Sequence, residues 1–151
     1  MENFKKIIAS LLKSLKIEAP KLQDGQLFIE LEGGLKVNML CNWEGSVILV
    51  ANLGGLRQAS PKLLWQLLEK NLFCELPQVQ ISAAAQDQTI ILWVQERLSQ
   101  LDSSSLSRLF ERFVRTAKEV GLMLASQAPT RPKAGGRPPL LNRSRLGTYS
   151  A

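Results

Sequence analysis

The chain has 151 residues, 45% of them hydrophobic and 21% charged, with 19 Lys+Arg against 13 Asp+Glu and no His. That length and mixture suit one domain with a real core, not a disordered or fibrous protein. Without histidine there is no Ser-His-Asp or Cys-His pair, no His-ligated zinc and no imidazole relay near neutral pH.

The start, Met1-Glu2-Asn3-Phe4-Lys5-Lys6, lacks a long apolar run and a small-residue cleavage site, so no secretory signal is expected. No stretch approaches the roughly 20 apolar residues that span a bilayer, and a reducing cytoplasm is the expected location. Phe4, Ile7, Ile8, Leu11, Leu12 and Leu15 form one stripe at helical period. Lys13 and Lys16 complement the helix dipole at its end, and Pro20 stops continuation.

Three strands are expected next. Asp24-Gly25 marks a turn, and Leu27, Ile29 and Leu31 share the face of the following strand. Gly33-Gly34 reverses the chain into the cleanest alternation in the sequence, where Leu35, Val37, Met39, Cys41 and Trp43 interleave with Lys36, Asn38, Leu40 and Asn42. Glu44-Gly45 turns the chain again into a strand over 46–53. Such short loops force antiparallel neighbours, hence a meander.

A second helix starts with Ser60 as N-cap and Pro61 in the first turn. Its Leu63, Leu64, Trp65, Leu67, Leu68 and Leu72 span more than one stripe, so it needs cover on more than one side. A second hairpin follows, from Val79 to Ala83 and Thr89 to Gln95, and Asp102 or Ser103 caps a long third helix. On that helix Glu111 and Arg115 are spaced as an i,i+4 ion pair. The fold class is α+β, an antiparallel sheet of about five strands with three helices in the order α-β-β-β-α-β-β-α.

Residues 126–151 carry Arg131, Lys133, Arg137, Arg143 and Arg145 and no acid, so residues 1–125 balance 14 bases against all 13 acids. The domain is expected over 1–125, followed by a basic, Pro/Gly-rich tail with little to bury, expected to be disordered. Such a tail can meet nucleic acid, anionic lipid or an acidic partner by Coulomb attraction alone, or simply keep the protein soluble.

Catalytic candidates are poor. Cys41 and Cys74 sit in apolar stretches at non-motif spacing and are expected as buried free thiols. Glu30 and Glu32 flank a turn as solvated charges, and Asn52-Leu53-Gly54-Gly55 lacks the Gly-Lys-Ser/Thr of a phosphate loop. No cofactor, metal or enzymatic activity is expected. The positive signal is apolar surplus. Phe28, Leu40, Ile48, Val50, Ile91 and Trp93 lie out of phase with the first sheet face, which together with the second helix points to dimerisation and apolar patches for a ligand chain, or else to a larger internal core in a monomer.

Leu11-Leu12-Lys13-Ser14-Leu15 leading to Asp24-Gly25, the segment Leu49-Val50-Ala51-Asn52-Leu53-Gly54, the run Leu67-Leu68-Glu69-Lys70-Asn71-Leu72-Phe73 and the closing Leu109-Phe110-Glu111-Arg112-Phe113-Val114 together resemble a class I type III secretion chaperone over residues 3–125. The resemblance implies a small cytoplasmic bacterial homodimer that holds the N-terminal chaperone-binding segment of an effector in extended form. It would keep the effector soluble and secretion-competent and help deliver it to the export ATPase. It places Leu63, Leu64, Leu67 and Leu68, with Trp65 and Leu72, at the dimer interface. Phe4, Ile8 and Leu12 of the first helix and Phe28, Leu40, Ile48, Val50, Ile91 and Trp93 of the sheet would line effector grooves. Members are typically acidic, whereas this chain has a pI near 9.6. A general adaptor or holdase, and a nucleic-acid-associated protein acting through the tail, are the alternative classes.

Overall fold

A computed structural model describes residues 2–17, 25–42, 44–56, 60–72 and 77–126. Trp43, Phe73, Cys74, the Pro20 helix stop and the basic tail beyond residue 126 lie outside the described residues.

Helix α1 (Glu2–Ser14) forms from the first apolar stripe. It ends before Pro20 is reached. Lys16 adopts φ +55°, its N–H bonds the Lys13 carbonyl, and the Ile17 N–H reaches back to the Leu12 carbonyl at 3.0 Å. This pair of bonds is a Schellman closure with lysine in the left-handed position that glycine usually fills.

Strands β1 (Gln26–Glu30), β2 (Lys36–Cys41) and β3 (Ser46–Gly55) form the expected meander. Gly33 and Gly34 carry φ of +89° and +80°, where a side chain would be strained, and the strands close with the Leu31 N–H on the Leu35 carbonyl. Helix α2 (Pro61–Glu69) follows, then β4 (Gln80–Ala84) and β5 (Thr89–Arg97). A short 3₁₀ turn over Leu98–Gln100 leads into α3 (Ser103–Ala125). All pairings are antiparallel, and the sheet order is β1-β2-β3-β5-β4. The five strands and three helices match the expected order, with ends shifted by a few residues. In particular α2 stops at Glu69, short of Leu72.

The period-two alternation sorts the sheet into two faces. Leu27, Ile29, Val37, Met39, Val47, Leu49, Leu92 and Val94 point inward, where Phe4, Ile8 and Leu11 of α1 and Leu106, Phe110 and Phe113 of α3 pack on them. Both long helices therefore cover the same face. A smaller cluster of Leu63, Leu67, Ile90 and Val120 seats α2 against α3 and β5. Cys41, expected to be buried, is a free thiol with partial exposure near the end of β2.

The left-handed Lys16 generates a stability prediction. Lys16→Gly removes the Cβ penalty at that position, and chemical denaturation should show a gain of about 0.5–1 kcal/mol after glycine's larger unfolded-state entropy is subtracted. A loss of stability would show that the α1 terminus is not closed in this way.

Candidate protein-binding surfaces

Ser60 extends at φ −69°, ψ 148° and its hydroxyl accepts from the Leu63 N–H at 3.2 Å, which fixes where α2 starts. That phase divides the helix. Leu63 and Leu67 are only 1% and 5% exposed, whereas Leu64, Trp65, Leu68 and Leu72 are 43%, 68%, 58% and 65% exposed. Of the six residues expected at an interface, two are buried within the subunit and four are exposed. Leu63 and Leu67 fill the chain's own core against Ile90 and Val120, while Leu64 and Leu68, one turn apart with Trp65 beside them, face outward and Leu72 follows exposed just past the helix end.

The outer face of the sheet carries the second surface. Strand register aligns Phe28, Asn38, Val50, Trp93 and Gln80 in one row across all five strands, and Leu40 with Ile48 in the adjacent row. Ile91 lies one step further along β5 beside Asn52. Phe28 is 65% exposed, and Leu40, Ile48, Val50, Ile91 and Trp93 are half-buried. Among the described residues no helix packs on this face. Trp93 is held by a 2.9 Å hydrogen bond from its indole N–H to the Ser82 hydroxyl, so the ring is positioned before any partner arrives. Between Phe28 and Val50, the Asn38 Oδ1 is shielded from solvent without a hydrogen-bond partner among the described residues. An acceptor left so costs about 1–3 kcal/mol, which a donor from a bound chain would recover.

Phe4, Ile8 and Leu12 do not line this surface. They are no more than 3% exposed and belong to the main core, because the α1 stripe is consumed by the inner sheet face and α3. Their expected groove role is corrected accordingly. An apolar groove does lie nearby, with a volume of about 740 Å³. It is walled by Leu15 and Ile17 after α1, Leu31 at the first hairpin and Phe110, Val114 and Leu122 of α3, with Glu30, Glu32 and Glu111 at its rim. Reading the sequence missed it because Leu15 extends the α1 stripe and Val114 the α3 stripe, so both pass for core. Leu122, 72% exposed late in α3, is the one residue whose position hinted otherwise.

A polar cleft of about 660 Å³ lies along α3 between Ser105 and Arg115. There the Arg112 guanidinium donates to the Pro77 carbonyl and anchors the loop before β4. The expected Glu111–Arg115 pair does not form within 4 Å. Instead Lys70 bonds Glu119 at 2.8 Å, which ties the end of α2 to α3 and holds the Glu119 carboxyl below its ordinary range, with a smaller contribution from Arg115. Both partners are about half exposed, so the bridge is worth at most about 1 kcal/mol. Among the described residues no group of three His, Cys, Asp or Glu could hold a metal ion, and no helix is long and apolar enough to cross a membrane.

Both surfaces, the outward side of α2 and the outer sheet face, are apolar and left uncovered by the described helices. The family model of the Tir chaperone protein (CesT) family matches residues 6–120. The chain belongs to that family. No curated protein sequence matches it. Among solved structures, a chain of the ExoT–SpcS complex of Pseudomonas aeruginosa aligns at 18% identity and TM-score 0.62, covering 78% of this chain and 96% of the other. A chain of the ExoU–SpcU heterodimeric complex from the type III secretion system of the same organism aligns at 24% identity and TM-score 0.65, covering 80% and 99%. The structure of the Yersinia pestis type III secretion chaperone SycH with a fragment of YscM2 aligns at 18% and 0.65, covering 78% and 98%. At these identities the likeness is one of fold.

Asp102 supplies the test of how α3 is set. Its carboxylate accepts from the Ser105 N–H at 2.7 Å and from the Ser105 and Ser104 hydroxyls, and these bonds lower its pKa from 3.8 to about 2. A lowered folded-state pKa gives stability that is present above pH 3.8 and lost as pH falls through about 2. Asp102→Ala should therefore lower the melting temperature at pH 7, and the gap to the unsubstituted protein should close between about pH 4 and pH 2. A gap independent of pH would show that the cap is not ionic.

Proposed function

We propose that the protein is a cytoplasmic, non-enzymatic type III secretion chaperone that works as a homodimer. It binds the N-terminal chaperone-binding segment of a secreted effector in extended form and hands it to the export machinery, the secretion ATPase included. The observation that carries this is the coexistence of two apolar surfaces, the outward side of α2 and the outer sheet face, that the described helices leave uncovered on the fold of this family.

The two surfaces suit different partners. The α2 ridge is narrow, regular and capped at its start, as a two-fold helix contact requires. Burying such leucine and tryptophan side chains gains about 1.5–3 kcal/mol each before association costs. The sheet face is wide, shallow and bordered by the β1 edge, which pairs with no other strand among the described residues. Hydrogen bonds of Leu31 to Leu35 and Cys41 to Gly25 set the phase of β1, so the backbone groups of Gln26, Phe28 and Glu30 point away from β2. An extended segment can add there as a strand and lay alternate side chains over the sheet face and into the groove beside Leu31. Wrapping of this kind spends ordering entropy on a large area and needs no globular ligand.

The double substitution Leu64→Asp/Leu68→Asp should convert a dimer into monomer or aggregate in light scattering, and an unchanged dimer would remove the α2 assignment. Phe28→Ser should cut effector co-purification by tenfold or more while circular dichroism stays native. Full retention of the effector would remove Phe28 from the binding surface.

A further inference from the structure

A five-stranded open sheet has two edges, and in this protein they are treated differently. The outward backbone groups of β1 have no partner among the described residues. At β4 the Asn71 side chain, just past the end of α2, does what a neighbouring strand would do. Its Oδ1 accepts the Ile81 N–H at 2.8 Å and its Nδ2 donates to the Ile81 carbonyl at 3.0 Å. This two-point contact with a single residue is the hydrogen-bonded pair of an antiparallel ladder, made by one side-chain amide. Asn71 is itself held in place, because its backbone carbonyl accepts from the Gln78 side chain and its N–H bonds the Leu68 carbonyl at 3.0 Å.

We propose that Asn71 is an edge guard: it closes β4 to strand addition, so that β1 is the edge of the sheet open to a partner strand. The phase of β4 makes one residue sufficient. Since Ile81 points its backbone outward, Ser82 faces β5 and Ala83 points outward again. A strand joining a ladder needs consecutive outward pairs, and with Ile81 occupied only Ala83 remains within the second half of this five-residue strand. Uncovered, the β4 edge would present Ile81 and Ala83, flanked by Gln80, Ser82 and Ala84 and without a single charge or proline, the features that otherwise protect edges. The occupant that β4 would then accept is the β4 of a second copy of this chain. An antiparallel pair of identical short strands is self-complementary, and it would link molecules outside the α2 contact. The proposal deepens the strand-addition reading by naming its edge, but the closing of β4 stands on the hydrogen bonds alone.

The test uses the full chain without any effector, so its failure is distinguishable from failure of the chaperone assignment. Hydrogen exchange is read at Ile81 and Ala83 in dilute wild type and in Asn71→Ala, and sedimentation velocity follows mass from about 5 to 200 µM. In the wild type Ile81 should exchange at least tenfold more slowly than Ala83. In Asn71→Ala the two should become equal, and the mass should climb with concentration beyond the wild-type plateau. Adding Ala83→Pro, which deletes the remaining outward N–H, should restore the plateau. Equal Ile81 protection in wild type and Asn71→Ala overturns the proposal, and so does self-association that Ala83→Pro leaves untouched. Should Asn71→Ala fail to fold, Asn71→Asp keeps the acceptor for the Ile81 N–H but turns a second acceptor on its carbonyl. It should give intermediate exchange at Ile81, and wild-type exchange there would overturn the proposal equally.

Discussion

Coverage of the sheet is the constraint on which the rest of this structure depends. Five antiparallel strands have two faces to hide, and the two long helices, α1 and α3, both lie on one of them. Their stripes meet each other as well as the sheet, through Phe4, Ile8, Phe110 and Phe113, so neither can be spared for the opposite side. The strands nevertheless carry Phe28, Leu40, Ile48, Val50, Ile91 and Trp93 on that opposite side, where an autonomous monomer would place polar residues. Among the described residues nothing covers that surface, which is why the proposed function assigns it to a partner chain.

Helix α2 states the same constraint on a smaller scale. Being apolar over most of its circumference, it uses one line of leucines to join Ile90 and Val120 and leaves the other outward. Its position is then tightened by polar contacts at its end, Lys70 to Glu119 and Asn71 to Ile81, which also seal the β4 edge. The proposed dimer contact, the core packing of α2 and the proposed edge protection thus converge on a single segment of about a dozen residues. The net charge of +6 plays little part in this, because five bases without an acid follow residue 125.

Most of the fold was legible in the sequence because its elements are strongly periodic and its punctuation is local. The alternation through Val37, Met39 and Cys41, the Ser60-Pro61 start and the Asp102 cap each depend on neighbours a few residues away. The surfaces were legible only in part, since burial depends on distant partners. Nothing local distinguishes Leu63 from Leu64 until Val120 arrives to cover one of them. Phe4, Ile8 and Leu12 have the same spacing whether they meet a groove or a core. The groove beside Leu31 draws on three separated segments, and the Asn71 contact spans ten residues in sequence with no motif to announce it. The left-handed closure of α1 at Lys16 had no local signal, as lysine is a rare choice for such a position.

In the proposed function, two different kinds of partner cover two different surfaces of one subunit. Photo-cross-linking from p-benzoylphenylalanine, placed at position 28 in one variant and at position 64 in another, within cells that carry the secretion system, tests it most directly. Position 64 should capture a second copy of this chain, while position 28 should capture the N-terminal segment of a secreted protein. Capture of this chain alone from both positions would contradict it.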